Sequence, residues 1–316
     1  MKSFQIQKII LISFSLAIFL FSCSEKEDQL FDVKEEVIPQ TADIKDTPVL
    51  TFNTRADYDA IFTNPQLLED KSKANKSFVS LKSRIDGFRS GDGLRNSTLQ
   101  ILEDTLFEGY GMLPKILNKD RIVKIGKHYI KIDLLEERAL VLKEEHADQY
   151  TDLAASNIEN ENIMLFSTND EVLELLSIGS TGKVQRIKNS CGDPTAVRKN
   201  CDPFSYNGNR RRLKAKVVYQ RAAIYFSVLA NAKAEKRRLR IWSRDRNATC
   251  NTNYDFRFGL KCSRAYNEQG SVFSSSGEAT YRPYEGTTSL AYYRLAADLS
   301  SSNASRILSC LIQDNF

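Results

Sequence analysis

All five cysteines beyond residue 23 lie after residue 190, and this one-sided placement limits how the chain folds: the residues are Cys191, Cys201, Cys250, Cys262 and Cys310. The charge changes sign at nearly the same place. Residues 24–182 hold 19 Lys and Arg against 30 Asp and Glu, a net charge of −11, whereas residues 183–264 hold 21 against 5, a net charge of +16. These two changes predict two structural units, 48–178 and 179–316.

The residue pattern predicts an α+β unit followed by a β-sandwich. In the first unit, two alternating runs from Ile122 to Ile132 around Gly126-Lys127 are typical of a hairpin. Helices are expected at 55–59 after Asn53 or Thr54, at 67–81 and from Ser97, with a loop at 86–96. In the second unit, strands are expected at Lys214–Tyr219, Ala223–Val228, Leu239–Ser243, Tyr254–Cys262, Tyr281 and Leu290–Leu295. The last segment, from Asn303, is either a helix or the final strand.

The N-terminus has the pattern of a secretion signal. Lys2 and Lys8 precede an apolar run from Ile9 to Phe21, and this run of 13 residues is too short for the roughly 20 that a membrane-spanning helix needs. Residues 1–22 are therefore expected to be removed, and 23–47 to form an acidic, flexible tether.

The residues around Cys23 carry a family resemblance. Leu20-Phe21-Ser22-Cys23 resembles a lipobox, and Ser24-Glu25-Lys26-Glu27-Asp28 resembles the export tag of Bacteroidetes-type surface lipoproteins. The later order of elements, with Leu117-Asn118-Lys119-Asp120 and Arg240-Ile241-Trp242, also resembles uncharacterised lipoproteins of that type. The resemblance implies lipidation of Cys23 and an outer-membrane position facing the exterior, but no activity. The alternatives are a core thiol at Cys23 and a plain acidic linker after it.

Export to an oxidising environment favours disulfides among the remaining cysteines. Leaving one cysteine out and pairing the other four allows 15 arrangements. The pairing that we expect is Cys191 with Cys201 and Cys250 with Cys262, which leaves Cys310 free or buried. A zinc site is disfavoured because the sequence has no CxxC pair, and both histidines, His128 and His146, lie in the other half of the chain.

A basic stretch from Arg210 to Arg246, interleaved with aromatic residues, is the feature that points most directly to a function. On one strand, Arg238, Arg240, Trp242 and Arg244 would share a face. Such a face suits anionic glycans, lipopolysaccharide phosphates or, less favourably, extracellular nucleic acid. The alternative is that these residues are solvated outer positions, partly neutralised by the acidic first unit.

No catalytic, metal-binding or cofactor-binding motif is evident. The adjacent carboxylates at Glu136-Glu137 and Glu144-Glu145-His146 are typical of solvated helix surfaces. In Gly179-Ser180-Thr181-Gly182-Lys183 two residues separate the glycines where a phosphate-binding loop has four. We therefore expect a binding or structural module without a cofactor; the alternative is a secreted polysaccharide or peptide hydrolase whose carboxylates converge only in the fold.

Overall fold

The structure is a computed structural model that describes residues 48–90, 103–179, 198–238 and 241–314. These residues belong to one compact unit, Ile44–Phe316. The leader, most of the tether and the expected lipidation residue Cys23 lie outside the described residues. Within the described ranges, no helix is long and apolar enough to cross a membrane.

The first part of the described chain contains a five-stranded sheet with the order β1-β2-β3-β4-β5. β1 and β2 are parallel, and the other neighbours are antiparallel. The predicted hairpin is confirmed: Ile125 pairs with His128, and Gly126 between them takes a φ of +58°, which glycine adopts without steric cost. The strands are β1 (Thr51–Phe52), β2 (Ile122–Ile125), β3 (His128–Asp133), β4 (Arg138–Lys143) and β5 (Ile163–Ser167).

Short helices surround this sheet. The helix predicted after Thr54 is confirmed: Thr54 Oγ1 accepts a hydrogen bond from Asp57 N at 3.0 Å, and Asp57 Oδ2 accepts one from Thr54 N at 3.0 Å. The α-helices are Arg55–Thr63, Gln66–Ala74, Leu81–Ser90, Leu113–Ile116, Tyr150–Ala155 and Val172–Ser177, with 3-10 helices at Phe107–Gly109 and Glu144–Gln149. Residues 103–106 are also helical.

Two expectations for this part are wrong. The single helix expected at 67–81 is interrupted, because the Gln66–Ala74 helix ends at Asn75 and the next begins at Leu81. The loop expected from residue 86 is helical as far as Ser90. The remainder of that loop and the start of the helix expected from Ser97 lie outside the described residues.

The second part contains two packed antiparallel sheets, which confirms the predicted α+β class with a β-sandwich-like second part. One sheet has the order β12-β8-β7-β6, with β9 also paired to β8; the other has the order β11-β10-β13-β14. Their inward residues form a core around Phe256, Phe258 and Tyr293. The strands are β6 (Arg198–Tyr206), β7 (Arg211–Arg221), β8 (Phe226–Arg238), β9 (Ile241–Arg244), β10 (Cys250–Leu260), β11 (Ala265–Ser274), β12 (Glu278–Gly286), β13 (Leu290–Ser301) and β14 (Leu308–Asp314).

The sequence pattern does not predict two of these strands, β6 and β11, and both lie at sheet edges. β6 contains Pro203 within a register shift between Cys201 and Phe204, and proline is tolerated only at such edges and bulges. β11 is exposed along much of its length and therefore lacks strong apolar alternation. The final segment, left open between helix and strand, is the strand β14.

The disulfides differ from the expected pairing. Cys201 on β6 is bonded to Cys310 on β14, with Cα atoms 5.9 Å apart. The expected Cys191–Cys201 and Cys250–Cys262 bonds are therefore wrong, as is a free Cys310. Cys250 is a free, buried thiol, and Cys262 is disulfide-bonded. The Cys250–Cys262 bond fails because the eleven-residue strand β10 carries the chain about 34 Å from Cys250, whereas bonded cysteines have Cα atoms within about 7 Å.

The turn between β7 and β8 joins the two parts. Residues Ala222–Tyr225 belong to the hydrophobic core of the first part. Ala223 takes a φ of +60°, so β8 begins at Phe226 rather than at the expected Ala223. Ala223 N donates to Thr168 O at 2.8 Å, and Tyr58 Oη donates to Ile224 O at 3.3 Å. The unit boundary near residue 178 stays a prediction.

A polar network lies beside this turn. Tyr225 Oη donates to Glu285 Oε1 at 2.5 Å and accepts from Arg282 Nη1 at 2.6 Å. Gly111 N donates to Tyr225 Oη at 3.1 Å, and Met112 N donates to Glu285 Oε1 at 2.5 Å. A Cβ atom on Gly111 would overlap the ends of the Arg282 and Glu285 side chains, so any larger residue here would force these two side chains to shift.

Candidate anion-binding face

The predicted basic residues lie on a hairpin instead of a single strand. Arg238 is the last residue of β8, and β9 runs antiparallel to it from Ile241, so that Arg238 pairs with Ile241 and Arg237 pairs with Trp242. The expectation of one shared strand face is therefore wrong for Arg238, whereas Trp242 and Arg244, two residues apart on β9, do share a face. Arg240 lies outside the described residues. Trp242 shares its face with Arg237, because residues directly opposite each other in a sheet point to the same side.

The strand register gathers a larger basic surface on the outer side of this sheet. Arg212, Glu235 and Arg244 form one row across β7, β8 and β9. The next row joins Lys214, Lys233 and Glu278, and the row after it joins Lys216, Asn231 and Thr280. We call this surface the basic face; its cationic and aromatic members are Arg212, Lys214, Lys216, Lys233, Arg237, Trp242 and Arg244.

Glu235 is the centre of the basic face. Its side chain is only 7% exposed and lies 2.6 Å from Arg212 Nε, 3.4 Å from Lys233 Nζ and 3.6 Å from Lys214 Nζ. Burial raises the pKa of Glu235, but the Arg212 hydrogen bond and the charges of Lys214 and Lys233 outweigh burial, so the pKa is lowered overall. The ionised carboxylate thereby holds three cations within one small area.

Trp242 contacts two arginines. The Arg212 guanidinium is 4.1 Å from the centroid of the indole ring, and the Arg237 guanidinium is 6.0 Å from it. Both distances are those of cation–π contacts. Because Arg212 also bonds to Glu235, its guanidinium is held between a carboxylate and an aromatic face. This arrangement orders a long side chain that would otherwise sample many rotamers in water.

The edge of the basic face is tied to β12. Arg244 Nη1 lies 3.3 Å from Glu278 Oε2, and Asn231 Nδ2 donates to Glu278 Oε1 at 3.0 Å and to Thr280 Oγ1 at 2.7 Å. Among the described residues, the three rows and the Arg237–Trp242 pair bring six cationic side chains together with two carboxylates. The face therefore retains an excess of positive charge after its internal ion pairs.

Arg211 and Lys236 of the basic stretch point away from the basic face. Arg211 Nη1 lies 3.2 Å and Lys236 Nζ 3.3 Å from the carboxylate of Asp245, whose side chain is buried. These cations belong to the opposite side of the sheet, since side chains alternate along each strand. The sequence did not single out Lys233 and Glu235 as site residues. Their alternation with Arg237 along β8, opposite Arg212 and Lys214, is the signal that could have identified them.

The two predicted carboxylate pairs, Glu136-Glu137 and Glu144-Glu145, lie at opposite ends of β4. Glu144 and Glu145 line a depression of about 500 Å³ with Lys127, His128 and Lys143. Both carboxylates are already paired: Lys124 Nζ lies 2.5 Å from Glu144, and Lys143 Nζ lies 3.4 Å from Glu145. Burial, with a contribution from Lys143, lowers the pKa of His128.

Glu136 and Glu137 lie in the turn between β3 and β4. Glu137 has a φ of +50°, and its carbonyl oxygen accepts a hydrogen bond from Thr168 N at 3.0 Å. This pair is therefore part of a turn, and the expectation of a helix surface is wrong for it. Of the phosphate-loop-like segment 179–183, only Gly179 is among the described residues.

A third pair of carboxylates, Glu171 and Glu174, lies at the helix Val172–Ser177. Glu171 accepts a hydrogen bond from Ser289 N at 2.6 Å and lies 3.6 Å from Lys261 Nζ. Although burial opposes it, hydrogen bonds from Glu174 and Ser289 lower the pKa of Glu171, and the bond to Glu171 raises the pKa of Glu174. Glu171 therefore holds this helix to the sandwich. In the described ranges no group of three metal-ligating side chains is brought together.

No protein-family model and no curated protein matches the chain. Among solved structures, the chain is similar to a DUF4848 family protein from Bacteroides thetaiotaomicron, with 9% sequence identity and a TM-score of 0.25. The similarity covers 84% of this chain and 97% of that one.

Proposed function

We propose that the protein is a lipid-anchored binding module whose basic face takes the sulfate or phosphate groups of an anionic glycan. The observation that supports this proposal is the excess of cations around Glu235, with Trp242 in contact with Arg212 and Arg237. Arginine forks bind sulfate and phosphate oxygens in pairs, and the indole helps to hold the arginine side chains in place through cation–π contacts.

The internal ion pairs support a role for this face in recognition. Glu235 restrains Arg212, Lys214 and Lys233 before a ligand arrives. A ligand then meets cations that have already lost much of their rotamer freedom, which lowers the entropic cost of binding. One carboxylate cannot neutralise three cations, so attraction for a polyanion is retained.

The anchor in this proposal is the acyl group on Cys23. Its chains contribute about 0.8 kcal/mol per buried methylene, and residues 23–47 would hold the folded part away from the bilayer at the exterior of the outer membrane. In that position the basic face meets polymers with repeating anionic groups, including lipopolysaccharide and extracellular polysaccharides.

The binding test uses intrinsic fluorescence, because Trp242 is the sole tryptophan of the chain. Heparin should change its emission on titration at low salt, and the affinity should fall as salt is raised, because binding releases counterions. Arg237→Gln and Arg244→Gln should each weaken binding roughly threefold, and together about tenfold, corresponding to ~0.7 kcal/mol for each exposed cation.

Arg264→Gln is the matched control, because it removes the same charge from an exposed residue in the turn between β10 and β11. Its heparin affinity should equal that of the parent. Lipopolysaccharide and double-stranded DNA serve as parallel probes: tighter binding to DNA than to either glycan would exclude a glycan function. Absence of heparin binding at low salt, or equal losses in Arg264→Gln and Arg237→Gln, would contradict the proposal.

The anchor has a separate test. Metabolic labelling with palmitate should mark the parent protein and leave Cys23→Ala unlabelled, and antibody should label intact cells that express the parent. An unlabelled parent protein would refute lipidation without affecting the proposal for the basic face.

A further inference from the structure

The opposite outer surface of the sandwich has a different chemistry from the basic face. On the sheet β11-β10-β13-β14, the odd-numbered residues of β10 point outward, since its even-numbered residues are in the core. The register places Ser271, Asn253, Asp298 and Ser309 in one row, and Gln269, Asp255, Ala296 and Leu311 in the next. We call this surface the polar face.

A depression of about 430 Å³ lies on the polar face. Ala296, the smallest side chain in its row, forms the floor between Asp255 on one side and Leu311 on the other. Asn253, Asp298 and Ser309 also line it, together with Tyr254, Ala297 and Cys310 of the same strands. The depression therefore combines carboxylate, amide and hydroxyl groups with one exposed aliphatic side chain.

The two carboxylates of the depression differ in their surroundings. Asp255 accepts hydrogen bonds from Gln269 Nε2 at 3.1 Å and from Arg294 Nη1 at 3.0 Å, and Arg257 Nε lies 3.5 Å from it. Asp298 accepts a hydrogen bond from Ser309 Oγ at 2.6 Å. It has no Lys or Arg within 4 Å among the residues that the structure describes. Asp298 is thus an exposed acceptor at the edge of the depression.

The charge balance restricts the class of ligand. In the described part of the polar face, two cations, Arg257 and Arg294, balance Asp255 and Asp298. Because these charges balance, the face offers no net electrostatic attraction to either a polyanion or a polycation. The remaining groups are hydrogen-bond acceptors and donors of the kind that pair with hydroxyl groups.

Apolar side chains flank these polar groups. Leu311 is 42% exposed, and Phe273, which lies on β11 in the row of Asn251, is 68% exposed. Phe273 lies three strands across and four residues along the sheet from Leu311, so the two side chains are roughly 20 Å apart. An exposed aromatic ring and an exposed leucine at this separation fit the C–H surfaces of sugar rings at the two ends of a short oligosaccharide, whose hydroxyl groups would face Asn253 and Asp298.

We propose that the polar face binds a neutral oligosaccharide in the depression over Ala296, with Asp298 and Asn253 bonding to its hydroxyl groups and Phe273 and Leu311 packing against its rings. This site lies on the surface of the sandwich opposite to the basic face and does not depend on the function proposed above.

The test is electrophoresis of the protein, without its leader, through native gels that contain starch, galactomannan, xyloglucan, mixed-linkage β-glucan or levan. At least one of these neutral polysaccharides should retard the parent protein. Ala296→Leu, which fills the depression without a change of charge, should reduce the apparent affinity at least tenfold. Asp298→Asn should reduce it about fivefold, because it converts one acceptor oxygen into a donor.

Gln313→Leu is the matched control, because it adds the same side chain to an exposed position of β14 outside the depression. It should be retarded like the parent and should have the same thermal unfolding curve as Ala296→Leu. Arg237→Gln should also keep full retardation, which separates this site from the basic face. Retardation by none of the five polysaccharides, or unchanged retardation of Ala296→Leu, would overturn the assignment.

Discussion

Removal of the Cys201–Cys310 bond is expected to lower the free energy of unfolding of the protein. The bond joins β6 of one sheet to β14 of the other, across a sequence separation of 109 residues. Replacing both cysteines, as Cys201→Ala/Cys310→Ala, removes this link while leaving the strands' backbone hydrogen bonds in place.

The magnitude follows from chain entropy. A bond that closes a loop of this length restricts the unfolded chain by about 4.8 kcal/mol, whereas a Cys191–Cys201 bond, which closes a loop of about ten residues, would contribute only about 2.7 kcal/mol. Both sulfur atoms are nearly buried, so their lost packing adds to the cost. At about 2–4 °C for each kcal/mol, the double variant should melt roughly 10–20 °C below the parent.

The assay is thermal and urea unfolding, both monitored by circular dichroism, together with a non-reducing peptide map. The map of the parent should contain a peptide that links Cys201 to Cys310. Cys250→Ala is the control, because it removes a buried thiol and leaves the bond intact. A loss of less than about 2 kcal/mol in the double variant, or a map with Cys201 linked to Cys191, would refute the reasoning.

Three further predictions concern the first part of the chain. Gly111→Ala should lower the free energy of unfolding by about 1 kcal/mol in urea, because its Cβ would push the ends of the Arg282 and Glu285 side chains out of a half-buried hydrogen-bond network. Gly87→Ala, whose Cβ meets nothing within 4 Å in a helix, should instead raise it by about 0.5–1 kcal/mol. Equal effects of the two substitutions would contradict this expectation. Burial lowers the pKa of Lys131 to about 8. Above that pH the unfolded chain binds more protons than the folded chain, so the free energy of unfolding should rise from pH 8 to 9.5. Urea unfolding should show a smaller rise in Lys131→Met, and an identical pH profile in this variant would rule out Lys131 as the origin of the rise. Thr54→Ala removes the helix cap and should cost about 1 kcal/mol, with an unchanged urea midpoint as the contrary result.

Local patterns predicted much of the first sheet. The runs around Gly126-Lys127 carry both alternation and a turn residue, and they form β2 and β3 as expected. The polar capping residue Thr54 likewise begins a helix where the sequence places one. Such elements are predictable because their determinants lie within a few residues of one another.

The edge strands show where local patterns are insufficient. β6 contains a proline and a register shift, and β11 is exposed along much of its length, so neither shows the apolar alternation of a half-buried strand. Each is held by hydrogen bonds to a neighbouring strand that lies elsewhere in the sequence. Their partners, and not their own residues, make them strands.

The candidate site also combines local features that the sequence predicts with contacts that only the fold creates. The sequence identified Arg238, Trp242 and Arg244 as basic and aromatic neighbours, but it placed Arg238 on the strand of the other two. In the structure β9 folds back on β8, which pairs Trp242 with Arg237 and brings it within 4.1 Å of the Arg212 guanidinium on β7.

The sequence by itself determined the class of fold, the basic character of the second part and the concentration of its cysteines there, because composition and periodicity are properties of the chain alone. Tertiary structure decided which cysteines meet, which cations surround Glu235 and which small residue forms the floor of the depression on the polar face. These outcomes depend on strand register across separations of tens of residues, and a shift of one residue in register would move every side chain of a strand to the other side of its sheet.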